Sequence, residues 1–68
     1  MKVGDLVKFG FIYNGSRLNN KTAIYLGKNF LTREDSIVIR NHKVMITGDS
    51  EYTIIDQRLL QYMRVLSA

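Results

Sequence analysis

The run from Ser36 to Asp56 constrains the fold more than any other stretch. β-Branched residues crowd both of its arms, Tyr52 adds an aromatic to the second, and Gly48-Asp49-Ser50 separates them. Two β-prone runs joined by a tight turn signal a hairpin, so residues 43–56 are expected to form one. The parity within the first arm adds a condition. Ile37 and Ile39 share one face of an extended chain, whereas Val44 and Ile46 have the opposite parity. Side chains alternate between faces along a strand, so a straight strand cannot bury both pairs on one side. This predicts a bulge or short turn near Asn41-His42.

The other segments carry β signals as well. Lys2-Val-Gly-Asp-Leu-Val-Lys-Phe9 reads as a Gly4-Asp5 turn and a first strand, with Val3, Val7 and Phe9 on one face and Lys8 on the other. Gly10 breaks it. Asn14-Gly15 then matches a type I′ turn, which needs positive φ at both central residues. Residues 10–20 are therefore expected to form a hairpin-shaped excursion, with a second turn at Asn19-Asn20. Thr22 to Leu31 is the next strand, with Ile24 and Leu26 on one face and Ala23 and Tyr25 on the other. Gly27 within it predicts a bulge or bend. Thr32 to Ser36 is a polar loop.

The tail admits two readings. Leu59, Met63 and Leu66 have helical spacing, and Asp56 suits an N-cap. A 3-10 turn at Arg58-Leu59-Leu60 followed by a strand from Tyr62 to Leu66 is preferred, because an uncovered edge is a liability in so small a sheet.

Sixty-eight residues make a single domain, 1–68. A chain of this length buries only about 60% of its unfolded surface. It has no cysteine to supplement the core with disulfides or a thiolate metal site. No apolar run approaches the ~20 residues of a membrane span, and no apolar h-region opens the chain, so neither a membrane partner nor a signal peptide is expected. The net charge is +4, and all of it lies in residues 1–34. There Lys2, Lys8, Arg17, Lys21, Lys28 and Arg33 face Asp5 and Glu34, while residues 35–68 balance four cations with four acids. Such an excess attracts nucleic acid or an acidic protein surface, or simply aids solubility.

No stretch places catalytic groups at a recognisable spacing. His42 is the only histidine, with no second His, Cys or adjacent carboxylate pair, so a bulge or surface histidine is expected rather than a base or ligand. Asp35, Asp49 and Asp56 stand beside turns, and the glycines are scattered singly rather than grouped as a phosphate loop. No catalytic, cofactor-binding or metal-binding residue is assigned, no small-molecule substrate is expected, and a non-enzyme is anticipated.

The assembled order is strand, long excursion, strand, loop, strand, tight turn, strand, 3-10 turn, strand. With Lys2–Phe9 at the start and Val44-Met-Ile-Thr-Gly-Asp49 to Asp56-Gln-Arg-Leu-Leu60 at the close, it resembles SH3-like small barrels of tailed bacteriophages, related in shape to KOW and Tudor domains. The resemblance implies an all-β, five-stranded SH3-like barrel with a long first loop and a 3-10 turn before the last strand. The chain lacks the tryptophans common in such barrels, and its segment 28–41 is longer than the simple form needs, which marks a contact loop.

The resemblance also implies function. Residues 10–20 correspond to the long first loop, where such folds often place binding residues. Phe11, Ile12, Tyr13, Arg17 and Leu18 are the partner-binding candidates, because loop-borne apolar groups mark interfaces. The leading expectation is a protein-docking module: a small accessory or structural phage component that binds another phage protein or itself, in the host cytoplasm or the virion. The alternative is a basic KOW-like nucleic-acid-binding module acting on host transcription or translation. Its candidates are Arg17, Lys21, Tyr25, Lys28 and Arg33, aromatics interleaved with cations that can stack bases and neutralise phosphates.

Overall fold

A computed structural model of the protein describes residues 1–32 and 38–66, with side chains throughout except at 30–32 and 38–40. The described strands are β1 (Leu6–Phe9), β2 (Thr22–Thr32), β3 (Val38–Ile46), β4 (Thr53–Asp56) and β5 (Met63–Val65). A 3-10 turn, Gln57–Tyr62, precedes β5. The strands form one antiparallel sheet in the order β4-β3-β2-β1-β5. This is the expected all-β, five-stranded order, with its long first loop and its 3-10 turn before the last strand. Among the described residues no ladder joins the edge strands β4 and β5; the 3-10 turn leads from one to the other. No helix among these residues is long and apolar enough to cross a membrane.

One face of the sheet carries the core. Val7 and Phe9 on β1, Ala23 and Tyr25 on β2, Val44 and Ile46 on β3, and Ile55 on β4 are all buried. Ile12 and Leu18 from the first loop, Leu59 and Leu60 from the 3-10 turn, and Met63 pack around its margin. The tail takes the turn-plus-strand form. Asp56 Oδ1 accepts from the Arg58 backbone N–H at 2.8 Å. That bond, and a second from the Arg58 side chain, hold the Asp56 carboxyl below its ordinary pKa. The chain returns to extended backbone at Met63, which pairs with Phe9.

Several expectations need correction. Val3 does not join the first strand's buried face: it is 71% exposed, and the strand starts at Leu6. The turn before it closes on Asp5, whose N–H donates to the Lys2 carbonyl and whose carboxylate accepts from the Lys2 N–H. The first loop contains no ladder. Gly15 has φ +87° but Asn14 does not have positive φ, so the turn closed by Ser16 N–H to the Tyr13 carbonyl is not type I′. Strand β4 starts at Thr53 rather than at Glu51.

The bulge lies on β2, not near Asn41-His42. β3 runs without interruption, and its register against β2 shifts between Tyr25 and Gly27, so Leu26 is the extra residue. Ile37 lies outside the described residues, so that half of the parity argument is not addressed. Gly27 meets the backbone demand of the bulge at φ +121°, and a Cβ there would approach Val3 Cγ2 to 3.3 Å. Both the torsion and the crowding oppose any larger residue. Gly27→Ala is expected to cost about 1–3 kcal/mol, the usual range for a strained backbone position, read as a lower urea midpoint. An unchanged midpoint would mean the bulge relaxes freely.

Candidate interaction surface

One side chain makes two of the bonds that close the first loop. Asn19 Nδ2 donates to the Tyr13 carbonyl at 2.8 Å, and Asn19 Oδ1 accepts from the Ile12 N–H at 2.8 Å. One amide thus bridges both arms of the excursion, and Asn20 follows in left-handed conformation, φ 59°. The partner-binding candidates divide accordingly. Ile12 and Leu18 turn inward against the core, while Phe11 and Tyr13 stand 60% and 63% exposed. Arg17 reaches the turn between β3 and β4, donating to Thr53 Oγ1 at 3.3 Å with Asp49 3.8 Å away. Asn19→Ala removes one exposed and one partly buried hydrogen bond and should cost about 0.5–1.5 kcal/mol. Faster proteolysis within residues 11–18, measured against the wild type, would register the loss; an equal cleavage rate would show that the loop holds itself.

The nucleic-acid candidates do not converge. Tyr25 is buried, so no base can stack on it. Lys21 shares a shallow cleft with Arg17, Thr47 and Asp49. Lys28 is exposed further along β2, seven positions and roughly 20 Å from Lys21. Arg33 lies outside the described residues, as does most of the polar loop expected between β2 and β3.

His42 is buried, contrary to the expectation of a surface or bulge position. Its phase on β3 matches Val44 and Ile46, so it points inward with them. Tyr25 Oη lies 2.7 Å from His42 Nδ1, and the rings sit 5.8 Å apart, tilted by 39°. Nε2 has no partner among the described residues whichever tautomer is present. Burial lowers the His42 pKa below 6.5, and the Lys28 charge adds to the shift. Burial likewise raises the Tyr25 phenol above 10.0. This pair is sealed from solvent and is part of the core.

The sign of the pH effect follows. Above the ordinary histidine value the imidazole is neutral in both folded and unfolded chains. Below it, down to the lower folded value, the unfolded chain takes up a proton that the folded chain refuses. Stability therefore declines as pH falls through that window. Urea midpoints should drop between about pH 7.5 and about pH 5 in the wild type, and drop less in His42→Phe. Identical slopes in the two proteins would assign the effect elsewhere.

The outward face carries what the sequence reading missed. Residues opposed across antiparallel strands project on the same side. Leu6 opposes Ile24, and Ile24 opposes Met45. The Leu66 N–H donates to the Leu6 carbonyl at 2.8 Å, which continues the row past β5. Leu66, Leu6, Ile24 and Met45 thus form an apolar row across β1, β2 and β3 and the residue that follows β5. Leu6, Ile24 and Leu66 are 36–41% exposed. Leu26 and Ile54 extend the patch, and Tyr52 closes it with Lys43 Nζ 5.0 Å from its ring centre. The signal lay in β2, where both parities are apolar. In comparisons with protein-family models, curated proteins and solved structures, nothing matches this chain.

Proposed function

We propose that the protein is a non-enzymatic docking module, and that the outer apolar row is its contact surface. The row of Leu66, Leu6, Ile24 and Met45 carries this reading, because contiguous apolar surface on a small protein marks an interaction site. Phe11 and Tyr13 supply a second exposed apolar element on the first loop. The occupant in this reading is another phage protein or a second copy of this chain, in the particle or during its assembly. The likeness of the opening and closing segments to barrels of tailed phages supports that setting. A chain this short also gains stability from any partner that binds only its folded form.

Light scattering after size exclusion tests self-association, and affinity capture from infected cells tests a second protein. The expected result is either a defined oligomer or a phage protein recovered in fixed stoichiometry. Whichever is seen should vanish in Ile24→Gln/Leu26→Gln while the circular dichroism spectrum is kept. A strict monomer that recovers no protein in fixed ratio, or an association indifferent to these substitutions, overturns the reading.

A further inference from the structure

Beside the apolar row the outer face changes character. Lys8 on β1 stands directly opposite Arg64 on β5. Like charges so placed repel and destabilise a strand pair. Among the described residues no carboxylate lies within ion-pair distance of either: Asp49 is taken by Arg17 and Asp56 by Arg58. Asp5 is engaged by the Lys2 backbone. Tyr62, two residues before Arg64, comes beside Gly10, whose N–H donates to the Tyr62 carbonyl at 2.7 Å. Position 10 has no side chain, and a cleft of about 380 Å³ opens there. Lys8, Gly10, Asn20, Gln61, Tyr62 and Arg64 line it. The Asn20 and Gln61 side-chain amides make no hydrogen bond among the described residues.

Two unneutralised cations, an accessible phenol ring and two free amides in one cleft match the parts of a nucleotide. We propose that this cleft binds single-stranded nucleic acid, with a phosphate between Lys8 and Arg64 and a base against Tyr62. Asn20 and Gln61 are then placed at the base edge. The volume falls within the range of about 300–1,000 Å³ of small-ligand sites and suits one nucleotide at a time. A paired base would not be free to stack on the ring, so a single strand is favoured over a duplex. This site is separate from the apolar row and does not depend on the docking reading.

Fluorescence anisotropy with a labelled oligothymidylate and a duplex of equal length tests the proposal. The single strand should bind more tightly, with affinity falling as salt rises. Each phosphate contact on a single strand contributes about −0.7 to the log–log salt slope, so Lys8→Ala and Arg64→Ala should each flatten it by about that amount. Tyr62→Ala should weaken binding roughly tenfold, and Tyr62→Phe should restore it. Lys28→Ala, outside the cleft, should change little. Ile24→Gln/Leu26→Gln should leave nucleic-acid binding intact, which separates this site from docking. Folding of each variant is checked by its thermal midpoint. Absence of binding at low salt overturns the proposal. So does binding that is indifferent to Tyr62 and equal for the duplex, which would be diffuse attraction. Displacement by polyglutamate with no dependence on Tyr62 would instead assign the cleft to an acidic protein segment.

Discussion

The extra residue on β2 sets the phase of everything around it. Before the bulge, Ala23 and Tyr25 face the core opposite Ile46 and Val44. After it, Lys28 opposes His42, so the inward phase of β2 has moved by one residue. Leu26 and Lys28 share a parity yet belong to different faces. This accounts for two observations. Leu26 joins the outer apolar patch, and the Lys28 charge is felt by the buried imidazole of His42. Glycine stands at the hinge of this shift because its φ of +121° is one that other residues rarely adopt.

The core that forms beneath this shift is small and not wholly apolar. Tyr25 and His42 satisfy one another through a single hydrogen bond and leave Nε2 without a partner among the described residues. An unpaired buried polar atom costs about 1–3 kcal/mol. In a domain near the lower limit of size, that is a large part of the net stability. The rest of the core comes from β1 to β4, and the first loop, the 3-10 turn and Met63 add one or two side chains each to its margin.

The same economy governs the outside. β1, β2, β3 and the end of the chain past β5 place apolar residues on the solvent side of the sheet, and the neighbouring outward positions of β1 and β5 carry two cations. Apolar row and cation pair are neighbours because successive outward positions on a strand lie about 7 Å apart. The surface therefore places two chemically distinct patches within a short distance: an apolar row and a pair of cations.

Much of the architecture was legible in the chain. Gly4-Asp5, Asn19-Asn20 and Gly48-Asp49 mark turns, Gly27 marks the bulge, and Asp56 marks the cap, because backbone conformation at such positions is a local property. Alternation in β1 and β2 revealed Val7 with Phe9 and Ala23 with Tyr25 as one-sided pairs of positions. What parity could not say was which side is inside. Ile24-Leu26 and Ala23-Tyr25 are equally apolar choices, and only pairing with β1 and β3 turned the second pair inward. The parity of residues 37–46 points to an irregularity near Asn41-His42, whereas β3 is regular there and the register shift lies on β2, beside Gly27. His42 became a core residue, Tyr25 ceased to be a stacking platform, and Lys8 met Arg64 for the same reason. By itself the sequence determined the local elements and their turns; tertiary structure decided faces and neighbours, because these depend on which strands lie side by side.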